Sequence, residues 1–148
     1  MGHRNMDHVA IMKKFWGLTE KILSGEKKIE SRWYKTKRAP WNKIKKGDTV
    51  YFKNSGEPVT IKTKVSKVVQ FSWLTPQKVK MILNKYGRAD GIEQSKVPEF
   101  FKRFKNKKYC ILVFIKNPVK IKPFDINKKG LGIMSAWLTV SSIAKIKK

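Results

Sequence analysis

Between residues 59 and 65 apolar and polar positions alternate, with Val59, Ile61, Thr63 and Val65 facing one way, the period of a half-buried β-strand. The same reading makes HVAIM (residues 8–12) a first strand and KKIESR a second. A third begins after Gly47 and Asp48, with Val50 and Phe52 on one face, and joins the 59–65 strand through a turn at NSGEP. YCILVFIKN, apolar on both faces, is the most deeply buried strand candidate; VKIKPF extends it or pairs with it, and AWLTVSSI is a last short strand.

Helical spacing appears in LTEKILS, where Leu18, Ile22 and Leu23 fall on one side and Gly25 stops the helix in a left-handed conformation. TPQKVKMILNKYG has Thr75 as its cap, Pro76 at the first position, a stripe of Val79, Ile82 and Leu83, and Gly87 at its end. VPEFFKRF is a shorter helical piece. Residues 33–41 read as a basic, aromatic loop, RADGIEQSK as a polar connection, and NKKGLGIMS as a flexible loop. No repeat or low-complexity linker interrupts the chain, so residues 1–148 are expected to form one α+β domain with a curled or barrel-like sheet, residues 1–7 being free to be flexible.

Charge changes this picture most. The 148 residues carry 35 Lys and Arg against 10 Asp and Glu, a formal net charge of +25. Such a self-repelling load becomes tolerable when a polyanion shares the surface, so nucleic acid is the first partner to consider. Lysine enrichment of ordinary solvated faces, as in a heat-adapted organism, is the competing explanation. A membrane partner is not expected, because no long helix sets a bulky apolar face opposite the lysines. The apolar runs are too short to cross a bilayer and MGHRNMDH lacks a secretory core, so a cytoplasmic monomer is expected.

Two residue types narrow the chemistry further. Cys110 is the only cysteine and lies within an apolar run, where it acts as a small buried side chain. His3 and His8 are the only histidines, both near the terminus, so no zinc cluster or Ser-His-Asp arrangement is expected in a fixed core, and neither a metal nor any other cofactor is foreseen.

The segment GEKKIESRWYKTKR concentrates the candidate chemistry. Alternation along a strand puts Glu30 and Arg32 on one face, with Lys27 at its mouth beside a helix end. The three charges either present N–H donors to a phosphate or base carbonyl, or close into an internal salt bridge. Trp33, Tyr34 and Trp41 interleave with Lys35, Lys37 and Arg38, as expected where bases stack on rings and phosphates meet cations. Core packing competes for each ring, with Trp41 beside Pro40 the candidate lid. Trp16 ahead of the first helix and Trp137 near the end divide between the same two fates.

With Gly25, Lys27, Glu30 and Arg32 forming GxKxxExR, a helix before them and Gly47-Asp48 before a strand, the sequence resembles an ASCH domain of the PUA-like superfamily. The resemblance implies a small β-barrel with flanking short helices and a cleft beside the motif; members of the superfamily bind RNA or modified bases. Some ASCH proteins are amidohydrolases on acetylated cytidine and others nucleases. The amidohydrolase pattern carries a nucleophilic threonine three residues after the lysine, where this chain has Glu30, and a further acidic residue falling near Asp90 to Glu93. Deacetylation is therefore not carried over.

The expectation is a module that binds RNA or single-stranded nucleic acid, with a cleft for one base or nucleotide, modified or not, built by Trp16, Lys27, Arg32, Trp33, Tyr34, Lys35, Lys37, Arg38, Trp41 and Trp137. The alternative is a metal-independent hydrolase of modified nucleosides or RNA, in which Lys27 and Glu30 do acid-base work once Lys27 has a lowered pKa. A third possibility is a domain that docks acidic proteins.

Overall fold

The computed structural model describes residues 4–148. In chain order it contains β1 (Asp7–Met12), a 3-10 turn (Lys14–Trp16), α1 (Leu18–Ser24), β2 (Ile29–Tyr34), β3 (Thr49–Asn54) and β4 (Val59–Phe71). These are followed by α2 (Pro76–Tyr86), α3 (Val97–Phe104), β5 (Tyr109–Phe124) and β6 (Trp137–Val140).

The strands form one mixed sheet in the order β2-β5-β4-β3-β1-β6. Only β1 and β3 run parallel. Register shifts at three places between β4 and β5 add local twist, which bends the long central ribbon and curls the sheet into a half-barrel. The architecture is the α+β, barrel-like one that the alternating pattern predicts.

Alternation decides the core. Val50, Phe52, Ile61 and Val65 point into the half-barrel with Ala10, Ile111 and Val113. On the outer face of β2 and β5, α2 and α3 cover Ile29, Trp33, Cys110 and Leu112 with Val79, Ile82 and Leu83. A third cluster lies around Val9, Tyr51 and Leu138.

Several local expectations hold and several shift. Thr75 Oγ1 accepts from Lys78 N–H at 3.3 Å, and Gly25 has φ 84° with its N–H donating to Ile22 O at 3.1 Å. Gly87, by contrast, keeps right-handed dihedrals (φ −55°), so the end of α2 needs no left-handed residue. Leu23 is exposed; α1 is too short for a three-residue stripe and buries Thr19 and Ile22 instead. VKIKPF extends β5, and β2 continues through Trp33 and Tyr34, which pair with Cys110 and Tyr109 rather than starting a loop.

Of the segment expected to be flexible, Met6 and Asp7 are held in place. Residues 1–3 lie outside the described residues, but Met6 N–H donates to Asp48 Oδ1 at 3.0 Å, its carbonyl accepts from Thr49 N–H at 3.2 Å, and Asp7 already pairs with Thr49. Among the described residues no helix is long and apolar enough to cross a membrane.

Candidate nucleic-acid interface

The curl brings the β2 edge of the sheet toward the β1/β6 edge without closing the barrel. Arg32 spans this seam: Nη2 donates to Ile11 O at 3.4 Å and Nη1 to Ala136 O at 3.3 Å. A cleft of about 700 Å³ opens along the seam, walled by β2 on one side, by Met12 and residues 134–137 on the other, and by α3 and the α2–α3 connection.

Beneath the cleft lies an ion network built on β2. Lys27, only 2% exposed, places Nζ 2.6 Å from Asp90 Oδ1, 2.6 Å from Asp90 O, 2.7 Å from Ile29 O and 3.1 Å from Glu30 Oε1. Glu30 Oε2 in turn accepts from Arg32 Nε at 2.8 Å and lies 2.7 Å from Nη2. An ammonium has three N–H donors, so four acceptors leave Lys27 nothing to offer a ligand. Burial alone would lower the Lys27 pKa, but Asp90 and Glu30 outweigh it and hold the pKa above its ordinary value. Burial likewise works against the Glu30 carboxylate, and Lys27 and Arg32 reverse it, giving a lowered pKa. Asp90 goes the other way, its pKa raised chiefly by burial.

Two expectations about the motif change accordingly. A lowered Lys27 pKa, required for catalysis through its amine, is replaced by a raised one, because two carboxylates share the same dry space. Lys27 and Glu30 act as a paired support, the internal salt bridge of the two alternatives, while their outer edges still line the cleft. The connection read as merely polar is buried at Asp90, Gly91 and Ile92. Of the two acidic residues between positions 90 and 93, Asp90 is the one that reaches Lys27. Ser31 Oγ donates to Asp90 Oδ2 at 2.5 Å and accepts from Trp33 Nε1 at 3.0 Å.

Eight of the candidate residues line the cleft: Trp16, Lys27, Glu30, Arg32, Trp33, Tyr34, Arg38 and Trp137. Lys35, Lys37 and Trp41 do not. Lys35 and Lys37 are exposed outside it. Trp41 packs against the core, edge-on to Tyr109 at 5.2 Å, and its indole N–H has no hydrogen-bond partner among the described residues. Trp33 and Trp137 are committed to packing: Trp33 stacks on Phe104 at 4.7 Å and 5°, and Trp137 lies 5.1 Å below the Arg32 guanidinium. Trp16 and Tyr34 stay half-buried at the cleft wall, with Lys13 and Arg103 over Trp16 and Arg38 6.0 Å from the Tyr34 ring. Phe100 and Phe104 of α3, four residues apart on one helix face, complete the aromatic wall. That spacing was readable; the direction of the face was not.

Its place near the terminus does not keep His8 out of the core. It is fully buried in β1, with Nε2 2.8 Å from Asp48 Oδ2 and Nδ1 3.0 Å from Thr139 Oγ1 and 3.1 Å from Trp137 Nε1. Indole N–H can only donate, so Nδ1 is the acceptor and Nε2–H donates to Asp48. Burial outweighs Asp48 and lowers the His8 pKa. Asp48 also accepts from Met6 N–H and Lys45 N–H, each at 3.0 Å, which is why aspartate follows Gly47 at the entrance to β3. The histidine belongs to the fixed core but not to the cleft, which it reaches only through the Trp137 ring.

This arrangement has counterparts among solved structures. The chain matches the crystal structure of ASCH from Zymomonas mobilis with a TM-score of 0.61 and 15% identity, over 88% of this chain and 82% of that one. A single-residue variant of the same Zymomonas mobilis protein matches with a TM-score of 0.64 and 13% identity, over 90% and 87%. The fold is that of an ASCH domain. A hypothetical protein of known structure shares 25% identity at a TM-score of 0.50, over 75% of this chain and 97% of its own. No family model matches the sequence, and no curated protein does. Identity this low establishes the ASCH fold and leaves activity to the chemistry of the site.

Proposed function

We propose that this ASCH fold binds RNA or another single-stranded nucleic acid and takes one base or nucleotide into the seam cleft. The observation that carries the reading is the composition of the cleft. Half-buried rings, Trp16, Tyr34, Phe100 and Phe104, form a wall, and cations stand at its mouth, Lys13, Arg38 and Lys96, on a chain of formal charge +25. Its volume falls within the roughly 300–1,000 Å³ of small-ligand sites. Rings accept any base by stacking, and lysines attract phosphate without regard to sequence. The Lys27–Glu30–Asp90 network supports this by holding β2 and the α2–α3 connection at a fixed separation, so Lys27 and Arg32 shape the cleft from below.

The test is a titration of nucleotides and short single-stranded RNA at several salt concentrations, followed by tryptophan fluorescence. Affinity is expected to fall steeply with salt. Trp16→Ala is expected to weaken binding by roughly 1–3 kcal/mol, the worth of one stacked base. Binding that ignores salt, or is unchanged in Trp16→Ala and Arg38→Ala, overturns the proposal.

One contact favours a second reading, hydrolysis of an acylated nucleoside. Ser31 places a hydroxyl 2.5 Å from Asp90, one residue beyond the position of the amidohydrolase threonine, and burial makes the Asp90 carboxylate a stronger proton acceptor. Acetate released from acetylated cytidine by the protein, and not by Ser31→Ala, is the result that would establish it.

A further inference from the structure

We propose that Trp73 is a second stacking platform, outside the cleft, for the base that neighbours the one held there in a single-stranded nucleic acid; this rests on the cleft reading above. Trp73 sits in the turn between β4 and α2 and is 75% exposed. An indole left in water contributes almost nothing to the core, so packing does not account for it. Its backbone is also held at φ 54°, the left-handed region that side-chain-bearing residues rarely enter. The next residue anchors the turn: Leu74 is buried and its N–H donates to Lys108 O at 3.0 Å. Trp73 is therefore presented on a fixed support.

The platform is continuous with the cleft. Tyr34, part of the cleft wall, lies directly opposite Tyr109 in the β2/β5 pairing, so the two rings leave the same face as neighbours. The Trp73 ring is 6.2 Å from Tyr109, inclined at 51°. Arg38 lies 6.0 Å from the Tyr34 ring and Lys37 Nζ 5.9 Å from the Tyr109 ring. Tyr109, 9% exposed, is the buried link beneath, and the exposed Arg38 and Lys37 stand beside it between the cleft and Trp73, the positive charge that a single strand's phosphates need.

Charge selects the occupant. Trp73, Tyr109 and the Lys37/Arg38 loop come from residues 58–89, 100–124 and 31–47, and none of these three segments contains an aspartate or glutamate. An exposed aromatic surface intended for a second copy of this lysine-rich chain would set like charge against like, whereas a polyanion meets complementary charge throughout.

The experiment compares a mononucleotide with single-stranded RNA of two to six nucleotides, using the full chain, Trp73→Ala, Trp73→Phe and Trp16→Ala. Circular dichroism checks that each variant is folded. Trp73→Ala is expected to lose roughly five- to 150-fold in affinity for the longer RNAs, the equivalent of about 1–3 kcal/mol per stacked base, and nothing for the mononucleotide. Trp73→Phe is expected to recover much of the loss, and Trp16→Ala to weaken every length. If the longer RNAs bind Trp73→Ala as tightly as the unaltered chain while Trp16→Ala weakens them, the platform is refuted and the cleft survives. Absence of binding at every length removes both. Loss of self-association or of acidic-peptide binding in Trp73→Ala, with RNA affinity unchanged, assigns the surface to a protein and also overturns the proposal.

Discussion

Replacing Lys27 by methionine tests whether the charge network is the support described above. Methionine keeps the length and most of the volume of the side chain, so the cavity contribution is small and the change is mainly electrostatic. Removal of the ammonium leaves Asp90, 6% exposed, without its cation, strips Glu30 of one of its two, and orphans the carbonyls of Ile29 and Asp90. Breaking a buried ion pair from one side costs about 3–5 kcal/mol. Because Glu30 keeps Arg32 at 2.7 Å, a second penalty of that size should not be added. A loss of about 3–5 kcal/mol is a large share of the roughly 5–15 kcal/mol that stabilises a domain. Urea unfolding at pH 7, followed by tryptophan fluorescence, measures it directly. Lys35→Met, on an exposed side chain, should stay within about 0.5 kcal/mol. The pH dependence has a definite sign. Without Lys27, the folded-state pKa values of Glu30 and Asp90 both rise, so the folded variant binds more protons than its unfolded chain just above the ordinary carboxyl range. The penalty should therefore shrink as pH falls from 7 toward 4. A loss below about 1 kcal/mol, or a penalty independent of pH, would refute the network as a structural support.

Two further outcomes follow from the same geometry. Burial holds the His8 pKa below its ordinary 6.5, so the unfolded chain takes up a proton that the folded protein resists, and stability drops as pH falls below 6.5. His8→Gln removes this titration, so the stability difference between the two proteins should narrow by up to about 1.4 kcal/mol per pH unit on acidification from 6.5, and a constant difference in urea titrations between pH 7 and 5 contradicts it. Thr75→Ala deletes the hydroxyl that accepts Lys78 N–H at the start of α2 and should cost about 1 kcal/mol in thermal or urea unfolding, no effect meaning that the cap is energetically idle.

Local rules written along the chain were sufficient for most elements. The faces of β3 and β4, the start of α2 at Thr75 and Pro76 and the stop of α1 at Gly25 follow from period-two alternation, a missing proline N–H and the backbone freedom of glycine, all of which act within a few residues. The grouping of Glu30 and Arg32 on one face of β2, with Lys27 just ahead of the strand, was legible for the same reason. What they do there was not, because it depends on partners distant in the chain. Lys27 meets Asp90 across 63 positions and Arg32 meets Ala136 across 104, contacts made only when β4 and β5 twist the sheet into a half-barrel and α2 carries its following connection back over β2. The same folding takes His8 from a terminal segment into the core, turns Trp33 and Trp137 toward packing, and leaves Trp73 in water. Charge and periodicity along the sequence thus determined which groups were available. Only the curl of the sheet decided which of them were desolvated, and desolvation separates a buried support from a side chain that can still meet a ligand.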